Sequence, residues 1–105
     1  VFVNSSAGLP TRNGVGAYAA SKQALRVLAD AVRDEVNAQG VRVMSVFPGR
    51  TATAMAAAVF ADEGRTYDPG MLLQPDDIAD IVVHALALPW TAEVTDISIR
   101  PFRKV

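Results

Sequence analysis

The sequence predicts an α/β fold built on parallel strands, and three observations carry that prediction. A short β-branched run opens the chain, a long segment without Gly or Pro follows, and a second alternating apolar run begins directly after a glycine. Strand, helix, strand in this order is a crossover, and crossovers of this length join parallel neighbours. With 105 residues, 50% of them hydrophobic and 20% charged, the chain has globular composition and room for one domain with a modest core.

Residues 1–3 read as a strand that stops at Asn4-Ser5-Ser6-Ala7-Gly8, small and polar residues suited to a turn. Residues 9–16, with Pro10, Asn13, Gly14 and Gly16, read as loop. Residues 17–39 are rich in Ala, Leu, Val, Arg and Glu and end at Gly40, which predicts one long helix. Residues 41–47 alternate and halt at Pro48-Gly49, a second strand. Residues 51–63 are Ala-rich and read as a short helix, and residues 64–73, with Pro69-Gly70, as loop. Gln74-Pro75-Asp76-Asp77 opens another helix, with Pro early and acids at the positive end of the dipole. That helix runs to about residue 88 and stops at Pro89, and residues 94–99 form a last strand ended by Arg100-Pro101.

Ten Lys and Arg against eleven Asp and Glu, with no block of either sign, leave no electrostatic footprint for nucleic acid or an anionic membrane. No apolar run approaches the roughly 18 residues that span a bilayer. The absence of cysteine removes disulfides, thiolate zinc sites and cysteine nucleophiles, and is compatible with a cytoplasmic location. The chain enters an apolar segment at Val1 without an initiator Met or a charged leader, which reads as a cut within a longer domain.

Tyr18 and Lys22 stand four apart on the long helix, about 40° apart around its axis, so they can act on one ligand. Leu25, Ala29, Val32 and Val36 share that face, while Gln23, Arg26, Asp30, Arg33, Asp34 and Asn37 collect on another. Lys22 therefore points where the helix is otherwise apolar, and a buried ammonium is costly unless something compensates it. A phenol exchanges protons usefully when a nearby cation stabilises its anion. Ser5, at the end of the preceding strand, can hold a substrate oxygen while Tyr18 exchanges the proton.

The succession Val1-Phe-Val-Asn-Ser-Ser-Ala-Gly8, then Ala17-Tyr-Ala-Ala-Ser-Lys-Gln-Ala-Leu25, then Val41-Arg-Val-Met-Ser-Val-Phe-Pro-Gly49-Arg-Thr-Ala-Thr53 resembles the short-chain dehydrogenase/reductase family. The likeness is specific from residue 1 to about residue 55 and looser through the helix at Pro75 and the strand 94–99. It implies that residues 1–105 are the C-terminal part of a doubly wound, Rossmann-like domain, its catalytic half without the N-terminal cofactor-binding half. It further implies an oxidoreductase that uses NAD or NADP to interconvert a small-molecule carbonyl and a secondary alcohol by hydride transfer.

The family's serine lies thirteen residues before the tyrosine and three before a glycine, which selects Ser5, with Ser6 the lesser candidate. The resemblance makes Tyr18 the general acid/base, and gives Lys22 the nicotinamide ribose hydroxyls and the task of favouring the phenolate. Pro48-Gly49 with Thr53 resembles the stretch that covers the nicotinamide, and Thr51 can share that role. No Gly-x-x-x-Gly-x-Gly turn for a pyrophosphate occurs, the helix asparagine of the family's proton relay is absent, and the acid or Arg that separates NAD from NADP belongs to the same missing region. The rival reading is a truncated, non-catalytic relative acting as an interaction module or an unstable fragment.

A second apolar strip on the long helix, Ala20, Ala24, Val27, Leu28 and Ala31, faces away from Tyr18 and calls for a partner. In the family the corresponding helix packs against a second subunit, so the expectation is a homo-oligomer through this helix, against a neighbouring helix of the same domain. His84 sits off the Ile78, Ile81, Val82, Ala85 stripe and reads as a solvated surface residue. Arg12, Arg50 and Arg100 receive no role, while Tyr67 and Met71 fall in the loop that would close over substrate.

Overall fold

The computed structural model describes residues 1–6, 14 and 16–104. Three strands, β1 (Phe2–Val3), β2 (Ser45–Pro48) and β3 (Asp96–Ile99), form a parallel sheet in the order β1-β2-β3. Phe2 stands opposite Ser45, and Ser45 opposite Asp96, so both neighbours start level with the same residue of the central strand. The expected strands 41–47 and 94–99 therefore shorten at their N-terminal ends, because pairing needs a partner across the ladder and not only a local preference.

β2 is covered on both faces, and Val43, Met44, Ser45, Val46 and Phe47 are all buried. Side chains alternate across a strand, so Met44 and Val46 share one face, and Ser45 and Phe47 the other. On the first face Met44 and Val46 pack with Ala85, Ile78 and Val82 of helix α3 (Pro75–Leu86) and with Val94 and Ile97. On the second lies helix α1 (Gly16–Val36), whose Arg26 places its guanidinium 5.1 Å from the Phe47 ring centroid. Arg33 ties α1 to the sheet region, its Nε donating to the Val43 carbonyl at 2.9 Å and its Nη2 to the Thr95 carbonyl at 2.9 Å. Helices on both faces of a parallel sheet make this part of a doubly wound α/β architecture, as the sequence predicts.

The long helix ends by tightening. Asn37–Gln39 forms a 3₁₀ turn, and Gly40 at φ 75° returns its N–H to the Asn37 carbonyl at 3.0 Å. Helix α2 (Ala54–Asp62) starts later than the expected residue 51 because the preceding residues are pinned elsewhere. Thr51 bridges Leu73, with Ala52 N–H donating to the Leu73 carbonyl at 2.8 Å and Leu73 N–H to the Arg50 carbonyl at 3.1 Å. Inside the expected loop 64–73, Pro69–Met71 forms a further 3₁₀ turn, its Gly70 N–H capped by the Asp68 carboxylate at 3.1 Å. α3 opens as predicted, the Gln74 N–H donating to the Asp77 carboxylate at 2.8 Å.

Among the described residues no helix is long and apolar enough to cross a membrane. Val27 and Leu28 of the second α1 strip are 68% and 59% exposed, and Ala20, Ala24 and Ala31 are exposed with them. Of the stripe expected on α3, Ala85 is buried, Ile78 and Val82 are half-buried, and Ile81 is 38% exposed.

Candidate active site

Parallel strands end together, and here that end gathers the residues the sequence singles out. Ser5 follows β1, Pro48 and Gly49 close β2, and Tyr18 stands in the first turn of α1. Ser5, Tyr18, Pro48, Gly49, Thr51 and Thr53 line one cavity of about 400 Å³ at the carboxyl end of the sheet. Open α/β sheets bind ligands outside the carboxyl ends of their strands. Ser6 lines the cavity too, while Met55, Val59 and Phe60 of α2 supply an apolar wall.

Lys22 does not line this cavity but neighbours Tyr18, which does. Its ammonium nitrogen lies 5.7 Å from the Tyr18 ring centroid, so the four-residue spacing does place the two side chains together. Lys22 is half-buried, and Tyr18 is 44% exposed, open toward the cavity.

Both threonines are engaged and each keeps bonding capacity. Thr53 caps α2, its Oγ1 accepting from the Ala56 N–H at 3.1 Å, which leaves its hydroxyl proton free to donate elsewhere. Thr51 does the converse, donating its hydroxyl to the Gly49 carbonyl at 3.0 Å and retaining lone pairs. Gly49 is closely packed: a Cβ there would stand 3.2 Å from Pro101 Cδ and 3.3 Å from Arg100 Cα, so a side chain would require these neighbours to shift by a few tenths of an ångström. The end of β3 presses on this wall of the cavity.

Arg50, given no role from sequence, lines the cavity but is committed to its neighbours. It pairs with Glu63 at 2.7 Å and lies 4.8 Å from the Phe60 ring centroid, with Arg65 at 4.9 Å from the same ring. The hydrogen bond from Arg50, reinforced by its charge and by Arg65, holds the Glu63 carboxyl below the ordinary value of 4.5 against a smaller opposing effect of burial. Tyr67 packs edge-on against Phe60 at 5.9 Å and does not itself line the cavity. Met71 and Arg100 line a different cavity of about 480 Å³. His84 is exposed, as expected, and Arg12 lies outside the described residues.

Sequence reasoning passed over Asn4. It is only 5% exposed, and its Nδ2 donates to the Lys22 carbonyl at 2.9 Å while its Oδ1 accepts from the Ser5 N–H at 2.8 Å. The available signal was a carboxamide at the end of an apolar strand, a position where a buried polar group needs partners. Among the described residues no group of three or more His, Cys, Asp or Glu is placed to hold a metal ion.

The sequence profile of the short chain dehydrogenases matches residues 1–64. The uncharacterized short-chain type dehydrogenase/reductase y4eK of Sinorhizobium fredii is 31% identical over 99% of this chain and 43% of its own length. The crystal structure of the short chain dehydrogenase from Shigella flexneri superposes with a TM-score of 0.80 at 35% identity, covering 98% of this chain and 39% of that one. A short chain dehydrogenase from Escherichia coli CFT073, crystallised with NADPH, gives 0.76 at 34% identity over 92% of this chain and 39% of its own. The chain thus spans less than half the length of these relatives. Profile, relatives and fold agree, and the chain belongs to the short-chain dehydrogenase family.

Proposed function

We propose that this chain is the catalytic half of an NAD(P)-dependent oxidoreductase that interconverts a small-molecule carbonyl and a secondary alcohol. The observation that carries the reading is the convergence of Ser5, Tyr18, Pro48, Gly49, Thr51 and Thr53 on one cavity, with the Lys22 ammonium against the Tyr18 ring. The residues present fit a nicotinamide amide. Thr53 retains a proton to donate to a carboxamide oxygen, Thr51 retains lone pairs for its N–H groups, and the Pro48-Gly49 backbone frames the same wall. When bound, a nicotinamide supplies or accepts the hydride.

The remaining chemistry belongs to the chain's own side chains. In reduction Tyr18 gives its phenolic proton to the carbonyl oxygen, and in oxidation it takes the alcohol proton. The Ser5 hydroxyl holds that oxygen in place. Lys22 compensates the negative charge that develops on the phenol oxygen, and its ammonium also serves the nicotinamide ribose hydroxyls. Met55, Val59 and Phe60 offer apolar surface to the rest of a substrate. The exposed α1 strip of Ala20, Ala24, Val27, Leu28 and Ala31 suits a second copy of the protein, because small residues let helices approach closely.

One competing reading has an observation in its favour. The outer edge of β1 carries exposed Val1 and Val3, and with the bare α1 strip it offers two surfaces for association, as a non-catalytic interaction module would. Calorimetric titration of the protein carrying this sequence with NADH and NADPH separates the two. Saturable binding of at least one nucleotide is expected, and no binding to either at millimolar concentration would leave only the interaction module.

A further inference from the structure

We propose that Asn4 is a positioning residue for this site, setting the distance between Ser5 and the Tyr18–Lys22 turn; the proposal rests on the catalytic reading above. Ser5 lies just beyond β1, whereas Tyr18 and Lys22 ride on α1, so a tie across the gap between the two elements bears on their separation. The Asn4 carboxamide spans that gap. Its Nδ2 donates to the Lys22 carbonyl at 2.9 Å, and its Oδ1 accepts from the N–H of Ser5 at 2.8 Å. Its own N–H donates to the Val46 carbonyl at 2.7 Å, anchoring the clamp to the central strand.

A helix carbonyl has two lone pairs, so the Lys22 carbonyl can accept this bond beside its ordinary helical one. The carboxamide is also hard to replace. It must donate at one end and accept at the other, it is buried at 5% exposure, and Asp at neutral pH would turn the donor into an anion facing a carbonyl oxygen. Asn4 reaches Ser5 and Lys22 through their backbone groups, and it acts on the reaction only through them.

The test uses the protein that carries this sequence, with NADH and NADPH as reductants and cyclohexanone and ethyl acetoacetate as carbonyl probes. Circular dichroism fixes a temperature at which Asn4→Ala, Asn4→Asp and Tyr18→Phe are all folded. A misplacement of catalytic groups by an ångström lowers rates by up to about 100-fold, so Asn4→Ala should lose roughly 10-fold to 100-fold in kcat with KM for the probe little changed. The activity of Asn4→Asp relative to the unaltered protein should rise as pH is lowered from about 8 to about 5.5, since a protonated carboxyl regains a donor, while the Asn4→Ala ratio stays flat. A purely structural role would not produce that difference between two folded variants. Asn4→Ala with kcat within about threefold of the unaltered protein, or with losses that follow its unfolded fraction, overturns the inference. Tyr18→Phe in the same assay keeps the failures apart: retained turnover there contradicts the catalytic reading itself, whereas an inactive Tyr18→Phe beside a normal Asn4→Ala contradicts only the clamp.

Discussion

Arg42→Met should destabilise the fold well beyond what an ordinary surface substitution does. The Arg42 guanidinium closes the C-terminal end of α3, where helix carbonyls lack intrahelical partners. Its Nη2 donates to the Leu86 carbonyl at 2.6 Å, and its Nη1 to the Leu88 carbonyl at 2.9 Å and the Ala92 carbonyl at 3.1 Å. It also lies 4.8 Å from the Trp90 ring centroid. A hydrogen bond with a charged partner contributes about 1.5–3 kcal/mol, but the three share one half-exposed group and do not add fully. A cation at a helix C-terminus adds about 0.3–1 kcal/mol, and an exposed ring stack about 0.5–1 kcal/mol. Loss of the whole arrangement should cost about 2–4 kcal/mol, or roughly 5 °C or more in Tm for domains between 100 and 250 residues. Arg42→Lys should fall between, because an ammonium cannot reproduce the planar fork across several carbonyls. The assay is thermal unfolding followed by circular dichroism, with urea titration as a check. A Tm for Arg42→Met within about 2 °C of the unaltered protein would refute the assignment of Arg42 as the clasp of this helix end.

Two smaller perturbations follow from the site's surroundings. Thr53→Ala removes the α2 cap and should cost about 0.5–2 kcal/mol in urea unfolding, whereas Thr53→Ser, which keeps the accepting oxygen, should stay close to the unaltered protein. The Glu63 carboxyl is held below 4.5 in the folded protein by Arg50 and Arg65, so it stabilises the fold at pH values above its unfolded value and loses that contribution as pH falls through the folded one. The stability difference between the unaltered protein and Glu63→Gln should therefore shrink steadily as urea titrations move from neutral pH to about pH 3, and a difference that grows on acidification would contradict the sign.

Much of this fold is legible in the sequence because it rests on local preference. The glycine at position 40 marks the end of the α1 segment, Pro75 with Asp76 and Asp77 marks the start of α3, and the four-residue spacing alone brings Lys22 to the Tyr18 ring. What was hidden depends on distant partners. The start of β2 at Ser45 is set by where β1 and β3 begin, not by the run Val41, Arg42, Val43, Met44 itself. Arg33 and Arg42 look like surface charges in sequence, yet their guanidinium groups bond carbonyls up to 62 residues away. Pro48, Gly49, Thr51 and Thr53 were readable as a group, but Gly49 answers to the press of Arg100 and Pro101, which only the folded sheet brings near. Asn4 escaped notice for the same reason, since its partner at Lys22 is a backbone carbonyl 18 residues on.

The role of Tyr18 is tested most directly by Tyr18→Phe in the protein carrying this sequence, measured by hydride transfer from NADH or NADPH to carbonyl probes and by nucleotide titration. The substitution removes one hydroxyl from a ring that keeps its place beside Lys22, so turnover should fall by at least about 100-fold while nucleotide affinity stays within about threefold. Turnover near that of the unaltered protein, with affinity equally preserved, would show that another group carries the proton and would contradict the account at its centre.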